Sequence, residues 1–161
     1  MFILCAQVSL VSKNISAISH NLVGYLLIML NNLMMATLSY QTIKDIGLIN
    51  IARISFLAYT IPVIFPYFEA GEMISEIHIT LAFSGLVILV ACLLKVLIYY
   101  QRYNYALSHR LLSLMALSTV VILLIYSKFL LVNGLMEIVF TVTIMHSLAM
   151  IDKDNHAKSI N

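Results

Sequence analysis

Five long apolar runs dominate this sequence and limit what it can fold into. They cover residues 22–40, 46–68, 77–100, 107–127 and 129–151. At 1.5 Å per residue, each is long enough to cross the roughly 30 Å of a bilayer's hydrocarbon as an α-helix. Backbone polar groups cannot stay unpaired in lipid, and continuous apolar runs disfavour the alternating pattern of barrel strands. The sequence therefore predicts an all-α, polytopic integral membrane helix bundle with five transmembrane helices.

The scarcity of charged residues supports a lipid environment. Hydrophobic residues make up 62% of the 161 residues, and Asp, Glu, Lys and Arg together make up 10%, whereas a soluble domain has about 25% charged residues. No basic stripe is present, which excludes nucleic acid as a partner. We expect one membrane-embedded domain over residues 1–151, surrounded by the lipid bilayer, and a polar, disordered tail over residues 152–161.

The N-terminal segment is apolar but short. Residues 2–11 would cover about half a bilayer as a helix. No basic residue precedes this segment and no small-residue cleavage site follows it, so it does not resemble a signal peptide. We interpret it as a short or partial first helix; an interfacial helix, a re-entrant helix and the remnant of a sixth span are the alternatives.

The positions of Lys and Arg predict the orientation. The loop near residues 67–76 is acidic and contains no basic residue, so we place it outside. Alternation of the spans then puts seven of the nine Lys and Arg residues on the inner side. We therefore expect a multi-pass protein with a cytoplasmic C-terminus.

Polar residues within the predicted spans are the first candidates for a functional site, because they are costly in lipid. Counted from the outer helix ends, Glu137, Asn31, Asn32 and Tyr59, together with Ser84 and Thr119, lie at similar depths. Arg53 lies deeper and could reach towards Glu137. The group could form a polar cavity for an ion, a proton in transit or a lipid headgroup. The alternative is that these groups join helices by hydrogen bonds of about 0.6 kcal/mol each, while Arg53 extends to the interface.

The external loop offers a candidate metal site. It contains Glu69, Glu72 and Glu76, followed by His78 at the start of the third span. Carboxylate oxygens bind divalent cations, and Glu with His suits zinc. The spacing matches no established ligand motif, so a solvated acidic loop that helps to set the topology is the alternative interpretation. We expect no cofactor, and no nucleophile–base pair or metalloenzyme motif indicates an enzyme.

Short motifs in this order give the chain a resemblance to a known family. They are Asn21-Leu22-Val23-Gly24, Ile64-Phe65-Pro66, His78 with Ala82, and Gly134 with Glu137. This order resembles a family of bacterial multi-spanning membrane proteins of unassigned function, which is similar to the DRAM/Sfk-like membrane proteins. The resemblance implies a six-helix bundle in a bacterial cell membrane and marks Pro66, His78 and Glu137, but it implies no reaction.

These observations favour a non-enzymatic integral membrane protein. We expect it to bind a lipid headgroup, or to stabilise a partner membrane protein, through the polar layer around Glu137. A small transporter or proton-coupled carrier is the alternative. Because 161 residues is short for a carrier, and neither inverted repeats nor broken helices are evident, such a carrier would have to form a homo-oligomer.

Overall fold

The computed structural model describes residues 22–67, 71–129 and 134–160. Every regular element in these ranges is a helix, which confirms the all-α prediction. The five α-helices are α1 (Leu22–Asp45), α2 (Ile49–Thr60), α3 (Met73–Tyr103), α4 (Tyr105–Phe129) and α5 (Gly134–Ile160), and a short 3-10 helix (Pro62–Ile64) follows α2. The predicted N-terminal helix over residues 2–11, and Glu69 of the acidic loop, lie outside the described residues.

Four helices, α1, α3, α4 and α5, are long and apolar enough to cross a membrane. The second predicted span, residues 46–68, differs from the other four. It forms the 12-residue helix α2 and then the 3-10 helix, which together extend over Ile49–Ile64, about 24 Å at 1.5 Å per residue. Pro62 causes the break, because it has no backbone N–H to donate to the carbonyl of Ala58 one turn earlier. The described residues thus contain four full-length candidate spans.

The outer surface of the bundle is apolar. Large side chains such as Leu30, Phe83, Leu117 and Leu124 are more than 60% exposed. Helix α4 is the extreme case, since only 6% of its apolar window is buried within the protein. Patches of this size are unfavourable in water, and they fit the hydrocarbon of a bilayer.

The helices pack in chain order, α1 on α2, α2 on α3, α3 on α4 and α4 on α5, and α5 packs back on α1. Two apolar clusters fill the interior. One contains side chains from all five helices: Ile43, Ile46, Ala52, Val96, Tyr100, Leu107, Leu111 and Ile151. The other contains Met35, Leu93, Ile144 and Leu148, with Tyr59, Met115 and Phe140 packed against it. The two ends of the bundle are named below the Asn104 end, where α3 ends and α4 begins, and the Pro62 end, which is opposite.

The turn between α1 and α2 is shorter than predicted. Residues 41–45, predicted as a loop, are the last turn of α1. The N–H of Gly47 donates to the Lys44 carbonyl at 2.8 Å, and the N–H of Leu48 donates to the Ile43 carbonyl at 3.3 Å. This is the Schellman pattern, which requires a positive φ, and Gly47 supplies it with a φ of 83°.

The turn between α3 and α4 is a single residue, Asn104, where a loop over residues 101–106 was predicted. The Asn104 side chain explains the short turn, because its Oδ1 accepts a hydrogen bond from the N–H of Leu107 at 3.1 Å and so caps α4. Its Nδ2 donates to Asp154 of α5 at 2.7 Å. One residue therefore ends α3, starts α4 and anchors α5.

The polar tail was predicted to be disordered, and this prediction is wrong for most of its length. Helix α5 continues through Ile160. Two side-chain contacts explain why the helix continues: the hydroxyl of Tyr100 donates to Asn155 Oδ1 at 3.2 Å, and Asn104 donates to Asp154. These contacts hold the polar part of α5 against the α3–α4 turn.

Candidate functional site

Glu137 and Arg53, the predicted centre of the site, lie at opposite ends of the bundle. Glu137 is half-buried in the first turn of α5, which begins at Gly134 instead of the predicted residue 129. It is therefore about 5 Å from the start of its helix. Arg53 is exposed on the second turn of α2, at the Asn104 end. Within the described residues, Arg53 forms no ion pair with Glu137.

The other predicted members of the layer make local contacts. Asn31 and Asn32 are half-buried on α1, and Asn32 Nδ2 donates to the Ile28 carbonyl of its own helix at 3.0 Å. Ser84 and Thr119 are exposed and bond to carbonyls one turn earlier in their own helices. The four side chains do not form a shared cavity with Glu137 in the described part of the protein.

Tyr59 is the one predicted layer residue with a distinctive environment. Its ring packs against the cluster of Met35, Leu93, Ile144 and Leu148. Its hydroxyl is buried and has no hydrogen-bond partner among the described residues. A buried hydroxyl without a partner lowers stability, so Tyr59 is an unsatisfied polar group near the middle of the bundle.

Sequence analysis missed the hydroxyl groups that do join helices. Ser39 of α1 and Ser55 of α2 are buried and share a hydrogen bond of 2.5 Å. Ser118 of α4 and Thr143 of α5 share another of 2.5 Å. Helical periodicity could have found Ser39, because it lies four residues from both Met35 and Ile43 on the buried face of α1.

The candidate metal residues do not form a metal site. Glu72 precedes the first turn of α3 and Glu76 lies within it, and both are exposed. Negative charge is favourable at this helix end. His78 is buried, and its Nδ1 donates to the Phe65 carbonyl at 2.6 Å. No group of three or more potential ligands occurs among the described residues.

The interrupted end of α2 explains the position of His78. Side chains of neighbouring helices bind the carbonyls that leave the helix there: the Tyr25 hydroxyl donates to the Val63 carbonyl at 2.9 Å, and His78 binds that of Phe65. Gly85 of α3 packs directly on the Ala58 carbonyl, whose usual donor is lost at Pro62. These contacts stabilise a non-helical segment inside a largely apolar bundle.

A groove between α1 and α5 is the best-formed concave site. It has a volume of about 690 Å³. One part is apolar, formed by Met35, Leu38, Met145, Leu148 and Ala149, and the other is polar, formed by Gln41, Thr42, Lys44, Asp45, Asp152 and His156. The polar rim lies at the Asn104 end, where His156 Nε2 is 3.6 Å from Asp152 Oδ2.

The groove combines two environments in one binding site. Its apolar walls can accept hydrocarbon, and its rim offers one lysine and two aspartates to a charged group. Neither α1 nor α5 carries a nucleophile–base pair on this rim, so the geometry fits binding. No protein family, no curated protein and no solved structure matches this chain.

Proposed function

We propose that this protein is a non-enzymatic integral membrane protein that binds a phospholipid in the groove between α1 and α5. The observation that carries the proposal is the division of the groove into apolar walls and a charged rim. A phospholipid has the same division, with acyl chains next to a charged headgroup. The volume of about 690 Å³ lies within the roughly 300–1,000 Å³ of small-molecule sites.

The proposed placement in the membrane follows from the same rim. Lys44, Arg102, Arg110 and Lys153 belong to the Asn104 end, and positive residues favour the cytoplasmic side. We therefore propose a cytoplasmic C-terminus, with the groove in the cytoplasmic leaflet of a bacterial cell membrane. Helix α2 and the 3-10 helix would then be a short fifth span.

Native mass spectrometry tests lipid binding. We expect the wild-type protein, purified in mild detergent, to retain phospholipid, and Lys44→Gln to lose most of it. The matched control is Lys95→Gln, because Lys95 is also an exposed lysine but does not line the groove. If the wild type retains no phospholipid, or if both variants lose it equally, the proposal is wrong.

The second candidate function is a small proton-coupled carrier. The observation that favours it is the interruption of the second apolar run after Thr60, because discontinuous helices form the substrate sites of many transporters. A carrier using Glu137 predicts that Glu137→Gln abolishes pH-dependent flux in proteoliposomes while the variant still folds. Equal flux in wild type and variant would contradict that role.

Stabilisation of a partner membrane protein, or of a second copy of this chain, is the remaining proposal for Glu137. It predicts that a crosslinkable partner is lost when Glu137 is replaced by Gln. The similarity to the DRAM/Sfk-like proteins is also a proposal. Its marked residues Pro66, His78 and Glu137 all belong to the Pro62 end of the bundle.

A further inference from the structure

We infer that the groove prefers a phospholipid whose headgroup contains a primary amine, as in phosphatidylethanolamine. This inference rests on the proposed function and adds the class of lipid. Its basis is the set of charged residues on the rim, which includes groups of both signs: Lys44 and Asp45 from α1, and Asp152 and His156 from α5.

The rim matches a headgroup that contains both an anion and a cation. The ammonium of Lys44 provides the positive charge for a phosphodiester. The carboxylates of Asp45 and Asp152 accept hydrogen bonds from a primary ammonium. With one lysine and two aspartates, the net charge of the rim is −1 when His156 is neutral and zero when it is protonated. An anionic headgroup such as phosphatidylglycerol would therefore meet no excess of positive charge.

The rim also distinguishes a primary amine from choline. A quaternary ammonium cannot donate a hydrogen bond, and proteins usually bind it with the faces of aromatic rings. The described groove lining contains no Phe, Tyr or Trp. Tyr40 is nearby, but its ring faces Lys44 at 6.0 Å and is not part of the lining. Carboxylates without aromatic rings favour an amine that donates hydrogen bonds.

The length of the groove fits one lipid leaflet. Along α1 the lining begins at Met35 and reaches the charged rim at Lys44, about 13 Å at 1.5 Å per residue. Half of a hydrocarbon core of roughly 30 Å is about the same distance. A lipid with its acyl chain along Met35 and Leu38 would thus have its headgroup at the level of Lys44 and Asp152.

The test compares three lipids on the intact protein. Delipidated wild type is mixed with equal amounts of phosphatidylethanolamine, phosphatidylcholine and phosphatidylglycerol with identical acyl chains, and native mass spectrometry measures the bound fraction of each. We expect phosphatidylethanolamine to exceed both other lipids by about fivefold, the ratio that corresponds to one partly exposed charge pair.

The variant Asp45→Asn with Asp152→Asn should remove this preference while phosphatidylcholine still binds. The same double change at Glu72 and Glu76 is the matched control, because these exposed carboxylates lie at the Pro62 end and should leave the preference intact. Thermal unfolding of each variant reports its folding. If the double variant at the rim is unfolded, Asp152→Asn alone replaces it, with the same expected direction.

The outcomes separate the two proposals. Equal binding of the three lipids by wild type would overturn the headgroup inference and leave phospholipid binding intact. A preference that survives the aspartate changes would also overturn it. If wild type binds none of the three lipids, phospholipid binding itself is wrong.

Discussion

Gly85 is the position where a small change should have the largest effect on packing. A Cβ added there would lie 2.6 Å from the Ala58 carbonyl oxygen and 3.3 Å from Pro62 Cγ. The first distance is about 0.8 Å shorter than an ordinary contact of 3.4 Å. Because the obstructing atom belongs to the backbone of α2, no side-chain rotation can relieve the contact. In Gly85→Ala, α3 and α2 must therefore move apart.

The expected cost follows from two opposing effects. Forcing extra volume into a packed interface costs about 1–3 kcal/mol. Alanine favours the helix over glycine by up to about 1 kcal/mol, which offsets part of that cost. Separation of α2 from α3 also weakens the contact in which the Gly85 Cα–H points at the Ala58 oxygen. We expect a net loss of about 1–2 kcal/mol in the free energy of unfolding.

Equilibrium unfolding in mixed micelles, monitored by helicity, measures this loss. Ser84→Ala is the matched control, because Ser84 is exposed on the same helix and bonds only to its own helix; it should change stability little. If Gly85→Ala is as stable as wild type, the close approach of α3 to the backbone of α2 does not contribute to the fold, and the argument is wrong.

Three further predictions concern hydrogen bonds within the bundle. Tyr59→Phe removes the buried, unpartnered hydroxyl and should leave the unfolding free energy unchanged or raise it by up to about 1 kcal/mol; a loss above that would reveal a partner. His78→Ala should lower it by about 1–3 kcal/mol, because the buried Phe65 carbonyl loses its donor. A double-mutant cycle of Ser39→Ala and Ser55→Ala should give a coupling energy of about 0.6 kcal/mol, and a zero value would contradict the hydrogen bond between them. The same unfolding assay measures all three.

The fold class could be predicted from the sequence because it depends on average hydrophobicity over about 20 residues. Long apolar runs in lipid can only be helices, and the structure confirms this for the runs in α1, α3, α4 and α5. The interruption after Thr60 was harder to predict. Pro62 indicated a bend, but the end of α2 depends on Tyr25, His78 and Gly85, which are far away in sequence.

The turns were predicted less well, because they depend on single side chains. Asn104 replaces a predicted six-residue loop by capping one helix and contacting another. The tail was predicted from its polarity alone, and polarity gives no information about Tyr100, which holds Asn155 from 55 residues away in the sequence. Contacts between distant residues of this kind leave no local pattern.

The candidate site could not be predicted from depth along separate helices. Residues at one depth share a cavity only if each helix is rotated so that they face one another, and Ser84 and Thr119 face outwards. The sequence did not show that α5 packs on α1, and the groove exists because of that contact. Asp152 lay outside every predicted span, so it was not considered with Lys44.

The continuous helix α5 has a practical consequence for imaging such a small protein. The polar part of α5 is anchored to the α3–α4 turn by Tyr100 and Asn104 and remains helical through Ile160. A rigid helical protein fused in register to this end would project from the bundle without a flexible joint. Because each added residue rotates the chain by about 100°, the linker length would set the direction of the fused protein. Such a fusion would give an 18.1 kDa membrane protein the asymmetric mass that particle alignment in electron cryomicroscopy requires.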